Sequence, residues 1–186
     1  MTNEKAGILA DVCAALMANR MEDAAEVLAA HYPFAPAPNA GRRYSPRELM
    51  AVYKRDGFVD RYTGHRLVFP GTLRLLAQLL PEQFPFHPNW KTDACHFAFY
   101  ELFPTLDHVV PVSRGGPDNF ENWVTTSMLR NAAKANFTLD ELGWLLHRPG
   151  DIQQWDGLTT WFLDWATRDK GILDHAYLRR WHDAAR

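Results

Sequence analysis

The chain has 186 residues, of which 47% are hydrophobic, 23% charged and 13% aromatic, and its formal net charge is −2. These values are ordinary for a soluble globular protein with one domain, or with one domain and a small appendage. The near-neutral charge excludes a strong overall basic field. The apolar runs are too short to span a bilayer and the N-terminus lacks a signal-peptide pattern, so we expect a cytoplasmic protein.

The N-terminal region, residues 1–32, is predicted to be a helical hairpin. Apolar residues recur at helical spacing over residues 5–20, and a second Ala-rich pattern covers residues 22–31. Cys13 falls in the first pattern and is expected in the apolar core. A Pro-rich connector over residues 33–41 should be extended and stiff, so we place the boundary of the main domain, residues 42–186, after it.

The main domain is predicted to begin with a helix. Ser45 and Glu48 form a capping-box pattern, and Pro46 suits the first helical position. A short hairpin is expected over residues 58–69 and a helix over residues 71–80. Another helix, capped by Thr92 and Asp93, should then extend to about Leu102.

A strand, a loop, a second strand and a helix should follow between residues 106 and 136. Their predicted ranges are 106–112, 113–118, 123–125 and 127–136. The last third of the chain is expected to be helical. It carries an apolar face that should pack in the core rather than stack on bases, formed by Trp155, Leu158, Trp161, Phe162 and Trp165. The predicted fold class is therefore α+β and mostly helical.

Residues 107–134 contain the side chains that phosphodiester hydrolysis needs. Asp107 and Asn131 offer hard oxygen ligands suited to Mg²⁺ or Mn²⁺, and the imidazole of His108 can accept a proton near neutral pH. Asn122 could hydrogen-bond across the loop and hold the histidine segment in place. Because neighbouring strand residues point to opposite faces, Asp107 and His108 serve one site if the strand ends or twists there.

This region resembles the motif of HNH endonucleases. The residues that carry the resemblance are Asp107-His108-Val109-Val110-Pro111, Gly115-Gly116, Glu121-Asn122 and Arg130-Asn131-Ala132-Ala133-Lys134. The resemblance covers about residues 106–136, extends loosely back to Thr63-Gly64, and implies a ββα-metal finger that cleaves DNA. The implied roles are metal ligands for Asp107 and Asn131, general base for His108, orientation of the histidine loop for Asn122, and support near the phosphate for Lys134.

One departure from the family concerns zinc. Many HNH nucleases have a structural zinc ribbon built from two CxxC pairs, and here the four positions hold Asp60, Thr63, Ser127 and Arg130. Without thiolates at these positions, the ribbon cannot form. We therefore expect a catalytic divalent ion but no structural zinc. A second metal site made by His87, Cys95 and His96 is conceivable, although ordinary packing is the favoured interpretation.

Charge is unevenly distributed despite the small net value. Residues 42–74 contain eight basic and three acidic residues, a surplus of five that could track a nucleic-acid backbone or form a solvated surface. The predicted nucleic-acid-binding residues are Arg42, Arg43, Lys54, Arg61, Arg66, Arg114 and Arg130. DNA is the expected partner, with RNA left open. Complete cleavage of a duplex by one such site would need a homodimer or two visits.

Two other functions stay open at this point. One is a catalytically inactive HNH fold that is kept for nucleic-acid binding. The other is a helical protein-interaction protein, in which the Asp-His and Asn pattern is coincidental.

Overall fold

The structure is a computed structural model that describes residues 4–34 and 43–186. It divides the chain into two compact units, residues 1–40 and 41–186. Most of the predicted connector, and the predicted contact residue Arg42, lie outside the described residues. No described helix is long and apolar enough to cross a membrane.

The first unit is a helical hairpin. Its helices are α1 (Glu4–Met17) and α2 (Met21–His31). Val12, Ala15 and Ala24 form its small buried core. The prediction that Cys13 belongs to this core is wrong, because Cys13 is exposed. It follows the buried Val12 directly, and consecutive helical residues point in different directions.

The second unit is mostly helical and contains one small sheet. Its first elements are α3 (Pro46–Arg55), α4 (Pro70–Leu79), α5 (Ala98–Glu101) and β1 (Pro104–His108). A 3₁₀ turn (Val112–Arg114), β2 (Trp123–Ser127), α6 (Met128–Lys134) and α7 (Leu139–Leu142) follow. The chain ends with α8 (Thr159–Arg168), a 3₁₀ turn (Lys170–Asp174) and α9 (Ala176–Ala185). The predicted α+β class with a mostly helical content is confirmed.

The sheet consists of β1 and β2 in antiparallel register. Asp107 pairs with Val124, and His108 pairs with Trp123. Ser127 ends β2 and also caps α6, since its hydroxyl accepts a hydrogen bond from the backbone N of Arg130 at 3.2 Å. The chain therefore turns from strand to helix without a loop, and α6 packs against both strands.

The main core lies between α3, α4, α8 and α9. It is rich in aromatic residues, with Phe69 in edge contact with Phe162 and Trp181 at ring-centroid distances of 5.2 and 5.6 Å. Trp161 and Trp165 pack against this core, as predicted. Trp155 and Leu158 precede α8 instead of lying on it. They extend the packing to a second cluster around Phe99.

Three predicted elements differ from the structure. The hairpin over 58–69 is reduced to one bridge between Val59 and Arg66. The helix over 92–102 is reduced to α5, because the backbone N of His96 donates to Pro85 O at 2.8 Å rather than to a helical carbonyl. The first strand ends at His108 rather than at residue 112. Beyond it, the Asn122 side chain binds the backbone of Val110.

Candidate active site

Asp107, His108 and Asn131 line one open cavity of about 250 Å³. Asp107 and His108 occupy the end of β1, and Asn131 lies one turn into α6. The strand stops at His108, which meets the condition for two consecutive residues to serve one site. We call this space the catalytic cavity.

The Asp107 carboxylate has one oxygen engaged by the protein and one available. Its Oδ2 accepts a hydrogen bond from the Tyr62 hydroxyl at 2.7 Å and lies 3.0 Å from Lys134 Nζ. In the described part of the chain, Oδ1 has no hydrogen-bond partner. Burial and the nearby carboxylate raise the pKa of Tyr62, so its hydroxyl stays protonated and continues to donate.

Lys134 has a different place from the one expected. Its side chain is fully buried, and Nζ donates to the backbone oxygen of His108 at 2.7 Å besides pairing with Asp107. An ammonium group held in this way has no access to a phosphate in the cavity. The expectation of a supporting contact near the phosphate is therefore wrong, and Lys134 instead fixes the end of β1 and balances the Asp107 charge.

Asn131 is anchored through its amide nitrogen. Nδ2 donates to Thr105 Oγ1 at 3.1 Å and to Leu106 O at 3.2 Å. Both acceptors belong to β1, so the amide nitrogen of Asn131 is occupied by the strand. Within the described residues the amide oxygen has no hydrogen-bond partner, so it remains available as a neutral ligand.

His108 is oriented by a residue that sequence reasoning missed. Its Nε2 lies 2.8 Å from Asp118 Oδ1, and the same oxygen accepts hydrogen bonds from Tyr44 and Trp123 at 2.7 and 2.8 Å. Trp123 Nε1 also lies 3.2 Å from Nε2, but its shorter contact with Asp118 takes the indole proton. Because a carboxylate can only accept, the proton belongs on Nε2 and the lone pair on Nδ1. Among the described residues Nδ1 has no hydrogen-bond partner, and it is the atom that can take a proton.

Hydrogen-bond donors around Asp118 keep its carboxyl group ionised. Burial by itself would raise the pKa of this carboxyl. The hydrogen bonds from His108, Tyr44 and Trp123 outweigh that effect and hold the pKa below its ordinary value. The carboxylate is therefore ionised at neutral pH.

Asn122 secures the loop between the two strands with the predicted cross-loop hydrogen bonds. Its Oδ1 accepts from Val110 N at 2.9 Å, and its Nδ2 donates to Val110 O and Pro117 O at 2.9 and 2.8 Å. Gly116 lies so close to Val110 O and Asn122 Nδ2 that a Cβ there would clash. The asparagine and the glycine together fix the path that follows His108.

Asp107 and Asn131 could hold a divalent ion. Both side chains line the same cavity, and each has an oxygen without a hydrogen-bond partner among the described residues. Mg²⁺ commonly uses one or two such ligands together with waters and substrate phosphate. Among the described residues, no group of three His, Cys, Asp or Glu side chains could hold a metal by itself. The donor set fits an ion that is completed by water and substrate.

The four positions of the missing zinc ribbon also meet in space. Asp60, Thr63, Ser127 and Arg130 all line a second cavity, of about 280 Å³, which we call the ribbon cavity. The buried Asp60 carboxylate accepts hydrogen bonds from Tyr62 N and Ser127 N, both at 2.9 Å, and from Thr126 Oγ1 at 3.1 Å. These hydrogen bonds tie the segment after α3 to the end of β2.

Two of the predicted nucleic-acid contacts also hydrogen-bond within the protein. Arg61 is largely buried, with Nη1 2.8 Å from Asp56 and Nε donating to His147 O at 2.6 Å. Because its guanidinium is occupied inside the protein, the assignment of Arg61 to nucleic-acid binding is wrong. Lys54 donates to Ala185 O at the end of α9 at 2.9 Å, but it is exposed, so its assignment stays a prediction.

The other predicted nucleic-acid contacts among the described residues differ in exposure and in their partners. Arg43, Arg66 and Arg130 are exposed. Arg66 lies over the Trp155 ring, and Arg130 lies over that of Trp144. Arg114 is paired with Glu141 at 3.2 Å. For these four arginines the assignment to nucleic-acid binding stays a prediction.

The conceivable second metal site is ordinary packing. The Cys95 thiol exchanges hydrogen bonds with the backbone of His87. His96 stacks on Phe84 with ring centroids 4.5 Å apart. The His87 side chain accepts a hydrogen bond from Asn89 N through Nδ1 at 3.2 Å, so each of the three side chains has a partner within the protein.

Comparison with models of protein families, with curated proteins and with solved structures found no match for this chain.

Proposed function

We propose that this protein is a metal-dependent endonuclease of the HNH type that hydrolyses phosphodiester bonds in DNA. The observation that carries the proposal is that Asp107, His108 and Asn131 face one cavity where β1 meets α6. Their order along the chain is that of the HNH motif. Asp107 and Asn131 each have an oxygen that could bind a metal ion, and His108 has Nδ1 to accept a proton.

His108 is the proposed general base. Its Nδ1 takes a proton from a water molecule as that water attacks the phosphorus. Asp118 holds the opposite edge of the ring through Nε2 at 2.8 Å and stabilises the imidazolium that forms. Asp118 is a positioning residue, since it touches the base rather than the reacting atoms.

Asp107 and Asn131 are the proposed ligands of one divalent ion. When bound, this ion supplies positive charge for the phosphoryl oxygens and the departing 3′ oxygen. Tyr62 and Lys134 hold the Asp107 carboxylate by one oxygen, so the other keeps a fixed position. Residues that do not bind the metal commonly orient its ligands through hydrogen bonds in this way.

A second candidate is a catalytically inactive fold that only binds nucleic acid. The observation in its favour is the ion pair between Asp107 and the buried Lys134, which already balances the carboxylate charge. A balanced carboxylate attracts a divalent cation less strongly than an isolated one. The two candidates differ in whether the bound nucleic acid is cut.

The test is a plasmid-nicking assay with Mg²⁺, Mn²⁺ or EDTA. Wild-type protein should nick with either metal and stop with EDTA, and His108→Ala and Asn131→Ala should be inactive. His31→Ala and Asn89→Ala, which change exposed residues that do not line the cavity, are the matched controls. Metal-independent nicking, or full activity of His108→Ala, would contradict the mechanism. Salt-sensitive binding without cleavage would favour the inactive fold.

A further inference from the structure

A larger cleft lies directly beside the catalytic cavity. Its volume is about 470 Å³, and Tyr44 and Leu106 line both spaces. The cleft walls are largely aromatic and include Phe86, Trp90 and Tyr177. We call this space the aromatic cleft.

Arg74 lies in this cleft without a partner for its hydrogen-bond donors. Its guanidinium is 3.6 Å from the ring centroid of Phe86 and 5.1 Å from that of Tyr177. Its Nε is buried without an acceptor, and no described carboxylate lies within ion-pair distance. Burial lowers the pKa of Arg74, although a guanidinium remains charged at neutral pH. The rings of Phe86 and Tyr177 therefore hold the Arg74 guanidinium in place, and this cation has no anionic partner among the described residues.

A second arginine lies at the edge of the same cleft. Arg180 is exposed, and its guanidinium is 5.4 Å from the ring centroid of Tyr177. It also has no carboxylate partner within the described residues. The cleft thus combines flat aromatic surfaces with two unpaired guanidinium groups, a combination that suits a planar base joined to a phosphate.

We infer that the aromatic cleft binds one unpaired nucleotide of the strand whose neighbouring phosphate lies in the catalytic cavity. The inference rests on the proposed nuclease function. The base stacks on the aromatic wall, and its phosphate pairs with Arg74 and Arg180. The shared wall at Tyr44 and Leu106 favours this ligand over an acidic peptide, because a continuous strand can occupy both spaces.

The size of the cleft predicts whether the bound DNA is single-stranded or double-stranded. A space of about 470 Å³ is within the range of sites for single small ligands. A paired base in a duplex is stacked on both faces and would have to leave the helix first, which costs energy. The protein should therefore bind single-stranded or frayed DNA more tightly than intact duplex.

The test measures binding to the His108→Ala variant, which cannot cleave. Fluorescence anisotropy compares a single strand, the matching duplex and an all-abasic strand of equal length. The single strand should bind about tenfold more tightly than the other two, in line with the energy of base stacking. Adding Arg74→Gln should weaken single-strand binding and so remove most of the preference over the duplex, because the phosphate loses its partner in the cleft. Arg180→Gln should weaken it to a smaller extent and provides a second variant if Arg74→Gln does not fold.

Arg168→Gln is the matched control, since Arg168 also stacks on an aromatic ring, that of Trp165, but does not line the cleft. Equal binding of all three probes would overturn the inference, as would a preference unaffected by both cleft variants. Arg74-dependent binding of an acidic peptide without nucleic-acid binding would also overturn it. Nicking by wild-type protein is measured separately, so loss of the proposed function and loss of the strand preference are distinguishable.

Discussion

Asp107 and Asp60 line two different cavities beside the strand–strand–helix unit, and their carboxylates differ in how many oxygens are occupied. Asp60 uses both carboxylate oxygens for donors of the protein, two of them backbone N–H groups. Asp107 uses only Oδ2 and leaves Oδ1 to the catalytic cavity. A saturated buried carboxylate stabilises the fold, whereas one with a free oxygen can bind a ligand.

Tyr62 joins the two regions. Its backbone N donates to Asp60, and its hydroxyl donates to Asp107. The backbone and the side chain of Tyr62 thus serve two different carboxylates. At the four positions where the resemblance would place a zinc ribbon, the Asp60 carboxylate makes hydrogen bonds within the protein.

The largest difference between the catalytic cavity and the ribbon cavity should appear in activity, when the proposed general base is removed. We expect His108→Ala to reduce nicking about 10³-fold, because a positioned general base contributes roughly 10² to 10⁴. Asp60→Asn should retain its activity per folded molecule. Initial nicking rates, normalised to the folded fraction from circular dichroism, measure both. More than a tenth of wild-type activity in His108→Ala would contradict the assignment.

Lys134→Met should break the buried ion pair in the catalytic region. We expect the free energy of unfolding to fall by about 4 kcal/mol, because Asp107 keeps its charge in a largely buried place without a cation. Mg²⁺ should restore part of this loss, since the ion can supply the missing charge. Urea unfolding with and without Mg²⁺ gives both values.

Lys5→Met, an exposed change in the first unit, is the control. If Mg²⁺ stabilised Lys134→Met no more than wild-type protein, the proposed role of Asp107 as a metal ligand would lose its support.

Asp60→Ala should destabilise the fold without affecting metal binding. It leaves Tyr62 N and Ser127 N without their acceptor, and we expect a loss of about 3 kcal/mol because each unsatisfied buried donor costs roughly 1–3 kcal/mol. Urea unfolding measures the loss. Asp151→Ala, at an exposed turn with a single backbone hydrogen bond, should have a much smaller effect. Equal effects of the two changes would remove the distinction between the two regions.

Asp118→Asn should reduce nicking about tenfold, because the carboxylate that fixes the proton on His108 Nε2 is replaced by an amide. Initial nicking rates, normalised to the folded fraction, measure the loss. Unchanged nicking would contradict the positioning role of Asp118.

The smallest effect should be the pH dependence that Asp118 gives to stability. Its pKa is lowered in the folded protein, so its contribution is present above the ordinary carboxyl pKa and is lost as pH falls through the lowered value. Asp118→Asn should therefore melt below wild type at pH 6, and the two should converge once the pH falls below the lowered pKa of Asp118. Asp93→Asn, an exposed change, should track wild type throughout. A constant difference between Asp118→Asn and wild type would exclude this linkage.

The sequence by itself determined the local parts of the molecule. The hairpin of α1 and α2, the capped start of α3 and the order strand, loop, strand and helix follow from periodicity and capping residues. Asp107, His108, Asn122 and Asn131 could be singled out because their spacing lies within one short segment. These features depend on neighbours in the chain, which a sequence displays directly.

Only the tertiary structure decided which of these groups are free and which are occupied. Tyr44 and Tyr62 reach Asp118 and Asp107 from far along the chain, and their residue types gave no signal of this. Lys134 and Arg61 resembled surface charges until their buried partners were visible. The reason is physical, because burial, hydrogen-bond saturation and cavity shape depend on contacts between distant segments, and sequence spacing does not encode those contacts.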